Sequence, residues 1–357
     1  MRVHSTLAVD VNHVGLTKDW ETITMATPVQ IADALTAAGC ETVLLGNDIL
    51  VAPFCGRVLA VAPDGNDNAI WHNSAFDSGD TAKSLLADDG WQNHGGDRIW
   101  ISPEMETHVP VANDFWGSYT VPKAIDPGNY ETVDISADSV TIASAGTSRF
   151  FRSDRDVTLQ WTNTVRRLDA PDSLPDGVSF AGYETRTRLK STDYAPAQPA
   201  LWRLLQVIGG GRVVIPVQGE RRLLPLFGEP QYETSDDGSV TCAVETESNY
   251  KLALHHLDSP GSLLYRRDDG ATSDLIVRRF NLVDGAVYSD VPSSDAGKRG
   301  YIVQVYIDDG GFGGFGELEH HSPALDGDQN EVEDVTTTFV YRGSAEAIDA
   351  LSGEIDY

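Results

Sequence analysis

Two short stretches carry acids and imidazoles at strand spacing. In FGELEHHSPAL (315–325), the two-residue alternation of a strand puts Glu317, Glu319 and His321 on one face and Leu318 and His320 on the other. Two carboxylates facing one cleft suit proton transfer, because burial and mutual repulsion raise the pKa of one of them. On an open sheet edge the same residues are merely solvated acids. In WQNHGGDRIWISPE (91–104), His94, Asp97, Arg98, Trp100 and Glu104 surround a Gly-Gly turn that enters a strand. An indole face packs on the apolar C–H face of a pyranose, and charged neighbours bind its hydroxyls. The plainer alternative is that Arg98 pairs with Asp97 or Glu104 and only holds the turn.

Two further segments belong with these. PALWRLLQ (199–206) carries Trp202 and Arg203, and SNYKLALHHLD (248–258) carries Lys251, His255 and His256. Adjacent strand residues point to opposite faces, so neither His255-His256 nor His320-His321 chelates one ion by itself. One histidine from each pair plus a glutamate is the remaining way to build a metal site. No HExxH, EF-hand loop or GxSxG elbow occurs. The Gly-rich GGFGGFG (310–316) lacks the Lys-Ser/Thr ending of a phosphate loop, and reads as a hairpin loop or a close backbone approach beside a site. No metal and no cofactor are expected.

The elements that must position these residues are mostly strands. ETVLL, GRVLAVA, DSVTIAS, DVTLQWTNTV, GRVVIPV, YKLALHH, DLIVRRF, YIVQVYI and TTTFVYR are short, β-rich runs. Asp-Gly pairs at 64–65, 89–90, 176–177, 237–238, 269–270, 284–285 and 309–310 supply hairpin turns, which favours an antiparallel system over βαβ units. Three short helices are predicted: Pro28 to Ala38, with Thr27 as cap and Gly39 as stop; Thr81 to Ala87; and Ala345 to Leu351. The resulting division is a lead-in with a short helix (1–40), a β-sandwich domain (41–343) and a C-terminal helix with tail (344–357). No repeat and no Pro/Ser-rich linker interrupts it.

Composition limits the partners. The 54 acidic and 26 basic residues give a formal net charge of −28. Six of the basic residues are lysine and twenty are arginine. Charge of this size destabilises a compact chain unless salt screens it, as in the proteins of high-salt cytoplasms. A polyanion repels nucleic acid and anionic membranes, so neither is an expected partner. Cys40, Cys55 and Cys242 are odd in number and lack CxxC spacing, which argues against a disulfide framework or a structural zinc site. The start, MRVHSTLAVDVNHVG, lacks the apolar run of a signal peptide, and a cytoplasmic location is expected.

Taken in order, GGDRIWISPE, the proline-marked VPKAIDPGNY (121–130), DVTLQWTNTV, PALWRLLQ, YKLALHH and GELEHHSPAL resemble the galactose mutarotase-like superfamily, in particular its aldose 1-epimerase-related branches, over roughly 41 to 343. The resemblance implies an all-β, antiparallel β-supersandwich whose concave face holds a small-molecule sugar. It also implies a late strand glutamate as catalytic base and histidines as acid and substrate clamp. Glu319 matches that glutamate, with Glu317 beside it, and His94 matches the early histidine. Arg98, Trp100, Glu104, Trp202, Arg203, Lys251, His256 and His321 are then candidate sugar-binding residues. PALWRLLQ departs from the pattern: it stands where these epimerases carry their principal histidine, and it has none. A mutarotase or epimerase using carboxylate and imidazole, and a sugar-binding or sensing protein that has lost the acid, are both open on this reading.

Overall fold

The computed structural model describes residues 25–245, 247–290 and 299–353. Most of the predicted lead-in and the end of the predicted tail lie outside the described residues.

Two antiparallel sheets carry the fold. The first has nine strands, in spatial order Val43–Leu45, Ile49–Ala52, Arg57–Val61, Asp97–Ser102, Ala200–Ile208, Phe315–Ala324, Val303–Ile307, Tyr250–Leu254 and Leu223–Phe227. The second has ten: Glu233–Thr234, Val240–Ala243, Arg212–Ile215, Ser262–Asp269, Thr272–Phe280, Glu331–Gly343, Ser179–Lys190, Arg155–Leu168, Ser139–Phe150 and Tyr130–Ile135. The predicted all-β, antiparallel supersandwich is therefore what forms. Tight turns allow it: the Asp269-Gly270 pair closes the hairpin in which Asp269 faces Thr272, and Gly270 takes a φ of 61° that a side chain would resist.

The main core lies between the sheets. Val58, Leu205, Leu252, Val305 and Leu318 of the first meet Val140, Val165, Tyr183, Ile276 and Val340 of the second. Alternation then decides what the outer face of the first sheet presents. At its Ile49–Val61 end, where a break in register leaves Leu59 unpaired between Val58 and Ala60, that face shows Leu50, Ala52, Leu59 and Ala60, which bury Ile31 and Leu35 of the helix Pro28–Ala37 together with Phe76 and Ala82. Thr27 and Gln30 form a capping box at the start of that helix. The other predicted helices form as Gly79–Leu86 and Ala345–Ser352. Beyond the helix-covered end, the outer face of the first sheet borders a cleft. The segment after the strand Asp97–Ser102, with two short helices at Glu104–Thr107 and Phe115–Ser118, supplies another wall.

Candidate functional site in the outer cleft of the first sheet

The cleft has a volume of about 670 Å³. Its floor comes from alternate residues of neighbouring strands: Arg98 and Trp100, then Trp202, Leu204 and Gln206, then Phe315 and Glu317, then Tyr306, then Lys251. The register fixes this set. Trp100 lies across from Trp202 and Trp202 from His321, while Glu317 is flanked by Gln206 and Tyr306. The Gly-Gly turn allows the first of these strands to enter. Gly96 has a φ of 76°, and a Cβ there would stand 2.3 Å from the Val58 carbonyl oxygen.

Charged groups on the floor are paired. Arg98 Nη2 donates to Glu317 Oε1 at 2.8 Å, and Gln206 Nε2 donates to the same oxygen at 2.8 Å. Lys251 Nζ lies 2.9 Å from Glu319 Oε2 and 3.9 Å from Glu104 Oε2. Both cations also sit over indoles: the Arg98 guanidinium is 4.4 Å from the Trp100 ring centre, and the Lys251 ammonium is 4.4 Å from that of Trp202. Glu104 Oε1 accepts from the Tyr119 hydroxyl at 3.0 Å. Burial pushes the Glu104 carboxyl above its usual range, with Lys251 pulling partly back. Burial pushes the Glu319 carboxyl up as well, against the pull of Lys251. For the Lys251 ammonium, burial acts downward, but Glu319 and Glu104 outweigh it and hold the group charged.

Asp126, which the sequence reading passed over, fixes the aromatic side of the site. Its Oδ2 accepts from Trp91 Nε1 at 2.8 Å and from Trp100 Nε1 at 3.0 Å, and Arg57 Nη2 bonds both of its oxygens at 2.7 Å. Burial would raise this carboxyl, but Arg57 and then Arg98 bring it down to about 2. Asp126 stands in VPKAIDPGNY, and only its tertiary partners reveal its role. Gln206, Tyr119, Tyr306 and Phe227 were also passed over, because single aromatic or amide residues in strands and loops carry no local mark of a site.

The sequence candidates separate into two groups. Arg98, Trp100, Glu104, Trp202, Lys251 and Glu317 border the cleft. Glu319 lies behind this lining, fully buried, with Oε2 held by Trp202 Nε1 at 2.7 Å and by Lys251, and with no hydrogen bond to Oε1 among the described residues. His321 is also behind it, stacked on Trp202 with ring centres 5.4 Å apart and 3.7 Å from Asp290. Burial lowers its pKa to about 4.

Arg203 faces the other way. It lies between the sheets with Arg278, both bonded to Asp97, which also accepts from Tyr183. Strand alternation forbids neighbours Trp202 and Arg203 from serving one face. Arg98 is bonded to Glu317, and its expected partners Asp97 and Glu104 go instead to Arg203 with Arg278 and to Lys251 with Tyr119. His94 packs between Phe54 and Phe76 at 5.8 and 5.5 Å, away from the cleft lining, and burial with Arg57 nearby lowers its pKa to about 4. His256 lies past the end of its strand, its Nδ1 3.2 Å from the Gly300 carbonyl oxygen. The Gly-rich segment connects two floor strands. Asp308 accepts from the backbone N–H groups of Gly310, Phe312 and Gly314 and so orders the loop.

Among the described residues, no three His, Cys, Asp or Glu side chains gather to hold a metal ion, and no helix is long and apolar enough to cross a membrane. The cysteines are free.

Fold and cleft together define a two-sheet β-protein with an aromatic, charge-lined cleft on the outer face of one sheet. No protein-family model matches the chain, and no curated protein matches it. Among solved structures it is similar to a galactose mutarotase-like protein from Lactobacillus casei, at 12% identity and a TM-score of 0.49 over 85% of this chain and 100% of the other. It is likewise similar to a candidate aldose 1-epimerase from Escherichia coli K12, at 10% identity and a TM-score of 0.49 over 84% and 98%. A galactose 1-epimerase from Lactobacillus acidophilus follows, at 9% identity and a TM-score of 0.40 over 83% and 91%. What the cleft can bind follows from its own residues.

Proposed function

We propose that the cleft binds a sugar or a comparable polyol and interconverts its anomers. The observation that supports this best is the joint lining: indoles of Trp91, Trp100 and Trp202 beside Arg98, Glu317, Gln206, Lys251 and Glu104. Apolar ring faces suit the C–H face of a pyranose, and convergent charged groups suit its hydroxyls.

Anomer exchange needs a base and an acid around one ring, and the roles are reassigned from the sequence reading. Glu319 is sealed behind Lys251 and Trp202, and His94 is elsewhere. Glu317, ion-paired to Arg98, is the candidate base. Glu104, whose carboxyl burial raises, is the candidate acid. Two carboxyls in unlike environments are a known way to divide these roles. Glu317 takes the proton of the anomeric hydroxyl while the Glu104 carboxyl gives a proton to the ring oxygen. The C1–O5 bond breaks as the aldehyde forms, rotation about C1–C2 follows, and closure on either face returns both protons.

A second reading, a sugar-binding protein without turnover, is favoured by one observation: no imidazole is part of the cleft lining among the described residues. Magnetisation-exchange NMR on a panel of aldoses in molar salt separates the two. The isomerase reading expects anomer exchange faster than buffer, falling on the order of 100-fold in Glu317→Gln while the sugar still binds. Binding with exchange no faster than buffer leaves the second reading.

A further inference from the structure

The rim of the cleft differs from its floor. Among the described residues, Trp116 and Phe312 are the only tryptophan and phenylalanine side chains that are more than about a third exposed, at 57% and 50%, and both border the cleft. A folded chain gains nothing from leaving such large apolar rings in water, so their shared location points to a ligand.

Neither ring is loosely placed. Trp116 packs edge-on against Phe227, ring centres 5.0 Å apart at 84°, and its short helix is capped by the Asp114 side chain accepting from the Gly117 N–H at 3.1 Å. Phe312 packs edge-on against Trp91 at 6.1 Å and 74°, in the loop that Asp308 orders. Edge-on contacts fix the orientation of each ring.

The polar groups suited to a sugar ring are deeper. The Arg98 and Glu317 side chains are each 5% exposed, and Gln206 is fully buried. The volume, about 670 Å³, lies within the roughly 300–1,000 Å³ range of clefts that take drug-sized ligands, so it has room beyond the polar floor.

We infer that the ligand is an oligosaccharide, with one sugar unit on the polar floor and a second stacked against Trp116 and Phe312. This rests on the sugar reading and extends it from a monosaccharide to a linked one.

Isothermal titration calorimetry in molar potassium chloride tests it, using glucose and galactose against maltose, cellobiose and lactose. The proteins are wild type, Trp116→Ala and Phe312→Ala; both positions are exposed, and circular dichroism checks that each variant folds. The expected result is a disaccharide bound at least about 10-fold more tightly than its component hexoses. Each alanine variant should weaken that disaccharide by about 2- to 10-fold while leaving hexose affinity unchanged. Equal affinity for hexoses and disaccharides, or equal loss of both in the variants, overturns the inference and leaves the sugar reading standing. Binding of no sugar at all removes both. If the variants instead change only sedimentation behaviour, the rim is a self-association surface and the inference is wrong.

Discussion

Lys251 Nζ and Glu319 Oε2 meet at 2.9 Å, with the two side chains 4% and 0% exposed. A pair this buried stabilises little compared with an apolar pair of the same shape, but loss of one partner strands the other charge. Glu319→Gln should therefore destabilise the fold by about 3–5 kcal/mol in urea unfolding. The double variant Lys251→Met/Glu319→Leu should lose much less than the sum of the single variants. A Glu319→Gln protein within about 1 kcal/mol of wild type would mean that the pair is not held as described.

Stability should fall on mild acidification. Burial, chiefly, holds His94, His321 and His108, which stacks on Trp100 with ring centres 4.7 Å apart, at about 4, 4 and 3. Unfolded histidines titrate near 6.5, so above about pH 6.5 this contribution is fully present. Below that, the unfolded chain takes up protons that the folded one refuses, and stability is lost down to about pH 4. Glu104 and Glu319 act in the opposite sense: raised by burial, they keep protons in the fold, and what they contribute is lost as pH rises above about 4.5. Below about pH 4, Asp126 and Asp334, the latter buried beside His320 and Thr336 and both held near 2, add to the loss; the folded carboxylates refuse protons that the unfolded ones take up. His255 and His320 are lowered by burial too and Asp308 is raised, so five histidines outweigh three carboxyls between about pH 6.5 and 4.5. Unfolding in molar salt, which screens net repulsion, should give a lower midpoint at pH 4.5 than at pH 7; an equal or higher midpoint contradicts the burial of these rings.

Salt itself should stabilise the protein. With a net charge of −28, screening relieves repulsion between carboxylates. The melting temperature should rise by several degrees between dilute buffer and molar potassium chloride. A flat or falling value would mean that the many local pairs, such as Arg342 with Asp274 at 2.6 Å, already neutralise the excess.

Much of the architecture was legible because it depends on local chemistry. Thr27, Pro28 and Gly39 mark a helix whatever lies beyond them, and the Asp-Gly pairs mark turns. Period two in 315–321 identified which residues share a face. Applied equally strictly, it would have separated Trp202 from Arg203, which the sequence reading grouped by adjacency. What local pattern could not supply was register between distant strands. Glu319 reads like a cleft carboxylate until Lys251, 68 positions earlier in the chain, is placed against it. Asp126 looks like a turn residue until Arg57, Trp91 and Trp100 converge on it. His94 stands where the resemblance implies an early catalytic histidine, whereas in space it has Phe54 and Phe76.

A sugar held in this cleft would lie against its indoles. Four of the seven tryptophans, Trp91, Trp100, Trp116 and Trp202, border it, so their emission reports directly on occupancy. Titration of wild-type protein with the aldose and disaccharide panel in molar potassium chloride, followed by tryptophan fluorescence, should give a saturable change with at least one sugar. Glu317→Gln should shift that curve, and Trp116→Ala should shift it for a disaccharide. A folded protein whose emission stays constant to about 100 mM of every sugar, roughly a hundredfold above a Kd of 1 mM, would contradict the account.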